Sequence, residues 1–197
     1  MVDNSSMQDT TSLLTLPLTG LILAGGAGQR MGGLDKGWVP YRGRPLVSYA
    51  MACLGPHVRE LLISANRSQQ QYRTLGCKVI GDLETGFQGP LRGMEAGWQA
   101  CSDDWMAFAA VDCPHLPANL VPRLWALRQE YPLVLAADSH GMIPVVGLMH
   151  RQILPALRKY LAEGGLRAGT FLGSHPHTLL QLGDGESSNL NRLSDMA

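Results

Sequence analysis

Residues 21–36 carry the residue types that bind phosphate. The stretch reads LILAGGAGQRMGGLDK, so a short apolar run is followed by five glycines and by two cations, Arg30 and Lys36. Glycines lack the Cβ atoms that would hold a ligand away from the backbone, so successive N–H groups can turn toward an anion. A guanidinium and an ammonium both recognise phosphate oxygens. The combination predicts that this loop binds a triphosphate.

This loop fits neither of two well-known phosphate-binding motifs. The dinucleotide fingerprint needs glycines at its first, third and sixth positions, and counting from Gly26 and Gly28 the sixth residue is Met31. A P-loop needs Gly-Lys-Ser/Thr, whereas Lys36 stands between an aspartate and a glycine. A glycine-rich connection with incidental charges is therefore the alternative that further motifs must exclude.

Three more polar residues closely follow predicted strands: Asn66, Asp82 and Asp112. Ligands of an open α/β sheet bind beyond the carboxyl ends of its strands, and the glycine-rich loop also begins where a strand ends. We therefore expect four distant stretches of the chain to meet at one edge of the sheet. A turn or capping role is the alternative for each of the three residues.

The pattern of apolar residues indicates the strands and helices that would position this edge. The run WMAFAAV at 105–111 is the most apolar of the predicted strands and is the expected centre of the sheet. Helices are predicted between the strands, which implies right-handed crossovers and a parallel sheet. The predicted strands are 18–23, 60–64, 78–80, 105–111 and 133–137, and the predicted helices are 45–54, 68–75, 90–101 and 117–130.

The pattern changes after residue 138. A strand that pairs in the opposite sense is predicted first, then two helices and a last strand. These four elements are predicted at 142–148, 152–161, near 172 and 177–182. The expected fold class is a Rossmann-like three-layer α/β/α architecture, whose mostly parallel central sheet gains an antiparallel addition in the second half.

One domain accounts for the length of the chain. At 197 residues the protein is long enough to bury a substantial core. We expect a polar, disordered tail over 1–16 and a single domain over 17–197. Within that domain, 17–138 would form a nucleotide-binding half and 139–197 an acceptor-binding half.

Composition excludes several classes of function. The formal net charge is zero, which argues against a nonspecific nucleic-acid or polyanion binder. The four cysteines lie far apart with no Cys-x-x-Cys pair, so we expect buried, reduced thiols rather than a zinc or redox site. No apolar run approaches the ~18 residues that span a bilayer, and the first residues lack the positive cluster of a secretory signal. A cytoplasmic protein is expected.

Several motifs along the chain resemble one enzyme family. LAGG, RMGG and DK within residues 23–36 resemble the nucleotidyltransferase superfamily that activates sugars and cofactors, and most of all the molybdenum cofactor guanylyltransferases. The resemblance covers residues 18–193, nearly the whole chain. Further motifs agree in order and spacing: Asn66 in ISANR, Asp82 in VIGD, GPLRGM at 89–94, Asp112 in AAVDCPHLP, and Asn189 and Asn191 in SNLN.

The resemblance implies a reaction and a fold of the nucleotide-diphospho-sugar transferase type. Members of this family join GMP from GTP to the terminal phosphate of molybdenum-bound molybdopterin and release pyrophosphate. They use magnesium, with manganese as a possible substitute. By the same resemblance the partners would be GTP, molybdopterin, and the proteins of molybdenum insertion and molybdoenzyme maturation, with no nucleic acid and no membrane. We expect a monomer.

The resemblance also implies roles for single residues. Lys36 would stabilise the transferring phosphate, Arg30 would help the leaving pyrophosphate, and Asp112 would hold the metal. Asp82 would either accept hydrogen bonds from guanine N1 and N2 or help to hold the metal. The implied GTP-binding residues are Leu23, Ala24, Gly25, Gly26, Lys36, Asn66, Asp82 and Asp112.

The acceptor site carries departures from the family pattern. Arg92 stands in GPLRGM where a small residue is expected, so it either contacts the acceptor or points outward. Asn189 and Asn191 would bind the acceptor too, but Arg192 and Leu193 replace the expected Thr-Pro, which makes their roles less secure. Cations of the second half either attract the acceptor phosphate or form a solvated helix face: Arg151, Arg158, Lys159 and Arg167.

Two other functions remain open. A different nucleotidyltransferase would make a CDP-alcohol, a nucleotide sugar or the cytosine form of the same cofactor. A noncatalytic GTP-binding regulator is more distant, because the chain contains both Lys36 and Asp112.

Overall fold

The structure, a computed structural model, describes residues 15–25, 35–81, 89–187 and 190. Most of the predicted tail lies outside these ranges. Five predicted site residues also lie outside them: Gly26, Arg30, Asp82, Asn189 and Asn191.

The described residues form a seven-stranded sheet and a separate two-stranded hairpin. The strands of the sheet are β1 (Leu16–Leu23), β4 (Val58–Ser64), β5 (Lys78–Ile80), β6 (Trp105–Ala110), β7 (Leu133–Asp138), β8 (Gly141–His150) and β9 (Thr178–Gln181). The hairpin joins β2 (Pro40–Tyr41) to β3 (Arg44–Pro45). Across the sheet the order is β5-β4-β1-β6-β8-β7-β9.

Strand direction places six carboxyl ends at one edge of this sheet. β1 pairs in parallel with β4 and β6, β4 pairs in parallel with β5, and β7 pairs in parallel with β9. β8 runs antiparallel to both β6 and β7. The predicted fold class, a mostly parallel sheet with an antiparallel addition in the second half, is therefore confirmed.

Helices cover both faces of the sheet. The described helices are α1 (Leu46–Leu54), α2 (Gln69–Arg73), α3 (Pro90–Ala100), α4 (Leu120–Ala126), α5 (Leu154–Ala162) and α6 (Ala168–Gly173). α1 packs against α4, and α3 packs against α5. In the described part of the chain no helix is long and apolar enough to cross a membrane.

The largest difference from the predicted elements is at α4, which is shorter than the expected 117–130. Its C-terminal end is capped early, because the Arg128 guanidinium donates to the Trp125 carbonyl at 2.7 Å and lies over the Trp125 ring. An arginine side chain can satisfy a carbonyl that the end of a helix leaves without an intrahelical partner. The helix prediction counted apolar spacing and did not include this cap.

The most apolar strand occupies the middle of the sheet, as predicted. β6 is the fourth of the seven strands, and the side chains from Met106 to Ala109 are fully buried. A strand buried on both faces is expected to be apolar throughout rather than alternating. Asp112, two residues beyond β6, therefore extends from a backbone segment that the surrounding sheet holds in place.

Tight packing beside β6 leaves no room for a side chain at one glycine of β8. Gly147 lies opposite Phe108 on one side and Leu135 on the other. A Cβ there would stand 2.6 Å from the Val134 carbonyl oxygen and 3.0 Å from the Phe108 ring. The carbonyl belongs to the sheet backbone and cannot move away cheaply.

Gly147→Ala is therefore expected to lower the free energy of unfolding by about 1–3 kcal/mol, the usual cost of overpacking a core. Urea denaturation measures the change. Gly169→Ala in α6 is the matched control, because its Cβ would meet only Met142 and Pro144 at 3.9 and 4.0 Å. An equal loss of stability in both variants would contradict the packing described for β8.

Candidate active site

The end of β1 is bonded to the strands on both sides. The Ala24 N–H donates to the Ser64 carbonyl of β4 at 2.8 Å, and the Val111 N–H, just after β6, donates to the Leu23 carbonyl at 3.2 Å. The Ala24 N–H is thus already used in the sheet. A nucleotide contact from Ala24 would have to use its carbonyl oxygen, and Gly25 carries the first backbone N–H beyond the strand.

Asn66 lies beside this strand end. A Cβ on Gly25 would approach the Asn66 Nδ2 to 3.4 Å, and a Cβ on Gly81 would approach its Oδ1 to 3.8 Å. The loop that carries Asn66 is tied to β5, since the Ala65 N–H donates to the Ile80 carbonyl at 2.9 Å. Asn66 therefore sits between the ends of β1 and β5, where it was predicted to converge with the glycine-rich loop.

Lys36 and Asp112 meet at the same edge. The Lys36 Nζ donates to the Asp112 Oδ2 at 2.8 Å, and the two side chains are 18% and 21% exposed. They are 76 residues apart in sequence. The pair is partly shielded from water, and both side chains are open enough for a ligand to reach them.

Asp112 is held through its backbone and its neighbour. Its carbonyl oxygen accepts from the Leu190 N–H at 2.9 Å, and its Oδ1 accepts from the Cys113 thiol at 3.7 Å. Burial, together with the Asp112 carboxylate, raises the pKa of the Cys113 thiol well above its usual range. The thiol therefore stays protonated and acts as a donor, not as a nucleophile.

Leu190 was not singled out by the sequence analysis, although it lies between Asn189 and Asn191. Its side chain is 4% exposed and packs in a small cluster with Val39, Tyr41 and Leu46. The middle of the SNLN motif thus touches both the Asp112 backbone and the segment just beyond Lys36. An apolar residue between two polar ones was the only signal for this anchor.

Tyr41 and His115 form a second contact that the sequence did not predict. The Tyr41 hydroxyl and the His115 Nε2 are 2.8 Å apart, and the rings meet edge to face. His115 is a loop residue beyond β6 and directly follows Pro114. This pair packs the hairpin against the loop that carries Asp112.

Arg92 does not point outward, so that alternative is wrong. Its side chain is 11% exposed, and its Nη1 lies 3.1 Å from the Glu95 Oε2. The other Glu95 oxygen lies 4.0 Å from the Arg158 Nε of α5. Arg92 belongs to a charged cluster between α3 and α5, next to the helix start where Gly93 packs on Ser64.

Of two further cations of the second half, Arg151 is placed away from this edge. Arg151 donates to the carbonyls of Cys101 and Asp103, which precede β6 and so lie at the opposite edge of the sheet. Lys159 faces solvent beside Glu163. The place of Arg151 excludes acceptor attraction at this edge, whereas the exposed Lys159 is compatible with either alternative.

A hard cation at this edge would depend on Asp112. The described residues contain no group of three His, Cys, Asp or Glu side chains that could hold a metal ion. Magnesium commonly binds through one or two carboxylates together with substrate phosphates. The partly exposed Asp112 carboxylate contacts Lys36, the last residue of the predicted triphosphate loop, and fits that kind of site.

The overall architecture is that of nucleotidyltransferases. A molybdopterin-guanine dinucleotide biosynthesis protein A from Archaeoglobus fulgidus superposes with a TM-score of 0.73 at 18% identity, covering 90% of this chain and 94% of that one. A 2-C-methyl-D-erythritol 4-phosphate cytidylyltransferase from Thermus thermophilus gives 0.67 at 14%, covering 89% and 94%. Rv0371C from Mycobacterium tuberculosis H37Rv, in complex with manganese, gives 0.66 at 14%, covering 91% and 96%. At such identities the likeness establishes the fold alone.

The family follows from the sequence itself. The model of the MobA-like NTP transferase domain matches residues 20–178, and the chain belongs to this family. The molybdenum cofactor guanylyltransferase of Yersinia pseudotuberculosis serotype O:1b is 43% identical over 157 residues, which is 80% of each chain. The enzyme of the same name from Yersinia pestis strain Pestoides F matches to the same extent. The family predicted from the motifs is confirmed.

Proposed function

We propose that this protein transfers GMP from GTP to the terminal phosphate of molybdenum-bound molybdopterin, giving the guanine dinucleotide cofactor and pyrophosphate. The observation that carries the proposal is the Lys36–Asp112 pair at the carboxyl edge of the sheet. It occurs in a chain that is 43% identical to proteins named molybdenum cofactor guanylyltransferase. The relatives at this identity are named as transferases, which favours catalysis over noncatalytic GTP binding.

The chemistry asks for positioning and charge rather than a protein nucleophile. An oxygen of the acceptor phosphate attacks the α-phosphorus of GTP in line. The new O–P bond forms as the bond to the β-phosphate oxygen breaks, and pyrophosphate leaves with that electron pair. Holding the reactants and neutralising the developing charge supply most of the acceleration in such reactions.

Each predicted residue has a role in this proposal. Lys36 donates to the transferring phosphate when GTP is bound, and Arg30 neutralises the leaving pyrophosphate. Asn66 and Asp82 bind the nucleoside beside the backbone of Leu23, Ala24, Gly25 and Gly26. Arg92, Asn189 and Asn191 contribute to the acceptor side.

Asp112 would hold the magnesium ion, with manganese as a possible replacement. The metal, when bound, would neutralise charge on the triphosphate oxygens. With magnesium present, Asp112 would exchange its Lys36 partner for the metal, which would free the lysine ammonium for phosphate. The Lys36–Asp112 salt bridge supports this exchange, because it places the lysine ammonium next to the carboxylate that would hold the metal.

The main rival is transfer of another nucleotide, since cytidylyltransferases share the fold. Incubation with a molybdopterin-bearing protein fraction, magnesium and each NTP in turn separates the two. We expect acceptor-dependent release of pyrophosphate with GTP and a small signal with CTP, ATP or UTP. A reaction without acceptor and one with Lys36→Ala enzyme serve as controls. Product with CTP and none with GTP would reject the guanine assignment.

The reaction also bears on where the protein works and with which partners. Its acceptor is a cofactor that passes between proteins, so we propose a cytoplasmic enzyme that meets the molybdenum-insertion and molybdoenzyme maturation proteins. We further propose that it acts as a monomer.

A further inference from the structure

A buried tyrosine of α2 supports the Lys36 segment from behind. Tyr72 is fully buried, and its hydroxyl donates to the Asp35 Oδ1 at 2.6 Å. The same carboxylate oxygen accepts from the Gly37 N–H at 3.2 Å. Asp35 thus caps the short 3₁₀ helix Lys36–Trp38 and ties it to α2.

The Lys36–Trp38 turn packs directly on the Tyr72 side chain. A Cβ on Gly37 would overlap the Tyr72 hydroxyl, so the turn rests directly on the phenol. The Trp38 ring packs on the Tyr72 ring, with ring centroids 5.1 Å apart. Residues on both sides of Lys36 therefore touch one buried side chain.

The hydroxyl of Tyr72 acts as a donor throughout the working range of pH. Burial, and then the hydrogen bond to Asp35, raise its pKa well above the usual value for tyrosine. A buried hydrogen bond to a carboxylate is stronger than a neutral one, and losing it leaves the acceptor undersatisfied. The contact is therefore a firm link between α2 and the turn.

We propose that Tyr72 is a positioning residue, which sets the direction of Lys36 toward the transferring phosphate through Asp35. The turn that Asp35 caps carries Lys36, whose Nζ donates to the Asp112 carboxylate. α2 follows the Asn66 loop in the chain, and the Gln69 side chain donates back to the Ala65 carbonyl at 2.8 Å. One short element thus supports the nucleoside residue Asn66 and the phosphate residue Lys36 together. This inference rests on the proposed function, because it presumes that Lys36 acts in catalysis.

Tyr72→Phe tests the link because it removes only the hydroxyl. We expect kcat to fall about tenfold, while the KM for GTP changes less than about twofold, since the lysine is misdirected rather than lost. Tyr160→Phe is the matched control, because its hydroxyl makes only a long contact, 3.5 Å, to the Arg167 carbonyl in the second half. It should keep the parent kcat.

A double variant separates positioning from general support of the fold. If Tyr72 acts through Lys36, then Tyr72→Phe should lower kcat no further in the Lys36→Ala enzyme. Losses that multiply, or an unchanged kcat in Tyr72→Phe, would overturn the inference while leaving the proposed function intact. Full turnover by Lys36→Ala alone would instead reject the catalytic role on which both depend.

If circular dichroism shows that Tyr72→Phe folds poorly, Asp35→Ala tests the same link between Tyr72 and the turn. It removes the acceptor that joins the tyrosine to the turn and leaves the phenol in place. We expect a loss of kcat at least as large as for Tyr72→Phe, with no further loss in the Lys36→Ala background. Normal kcat in a folded Asp35→Ala enzyme would overturn the inference.

Discussion

Lys36→Ala is expected to lower turnover by about 10²–10³-fold, the effect of losing one preorganised electrostatic group from a transition state. The melting temperature should change little, because the Asp112 carboxylate is 21% exposed and water can solvate it once the lysine is gone. Steady-state kinetics at saturating GTP and a thermal melt measure both quantities. Lys36→Arg should be impaired too, since a planar guanidinium cannot replace a point charge unchanged.

Lys78→Ala provides the matched control for this lysine. Lys78 begins β5, and its side chain is half exposed with only a 3.9 Å contact to Glu60. Its removal should leave turnover near the parent value. Full turnover of Lys36→Ala at saturating GTP would contradict the catalytic role.

Asp112→Asn is expected to lower turnover at least ~10²-fold and to raise the magnesium concentration needed for the remaining activity. The substitution preserves shape. The bond from the Leu190 N–H goes to the Asp112 main-chain carbonyl, which the change leaves in place. The melting temperature should therefore stay close to that of the parent, and the loss should report on the carboxylate charge.

A titration of activity against magnesium decides between a metal ligand and a structural aspartate. Asp104→Asn is the control, because that carboxylate is 78% exposed and its neighbour Arg151 lies at the opposite edge of the sheet. It should show the parent dependence on magnesium. The same dependence in Asp112→Asn would reject the metal role, because a turn cap loses little when an amide oxygen replaces a carboxylate oxygen.

The framework of this site could be predicted because it depends on chain-wide patterns. A strand as apolar as β6 belongs at the centre of a sheet, and the structure places it there. Parallel strands bring their carboxyl ends together, so the order of the strands is enough to predict Asn66 and Asp112 at one edge. β5 has the predicted bounds, and α3 differs by one residue at its end.

The contacts within the site depend on side-chain directions that no local pattern encodes. Lys36 and Asp112 belong to loops 76 residues apart, and only the folded sheet brings their side chains to 2.8 Å. From sequence alone, Arg92 is equally compatible with solvent and with a ligand. In the structure its side chain is directed to the buried Glu95. The Tyr72 to Asp35 bond joins a helix to a turn 37 residues earlier, so periodicity could not indicate it.

The fate of each GTP phosphorus tests the central claim, nucleotidyl transfer, most directly. The enzyme would be incubated with molybdopterin-bearing protein fraction and magnesium, once with GTP labelled at the α-phosphorus and once with GTP labelled at the γ-phosphorus. The proposed function predicts that the α label enters the dinucleotide cofactor and that the γ label leaves in pyrophosphate. Transfer of the γ label to the acceptor, or its release as inorganic phosphate with the α label left in GDP, would contradict it.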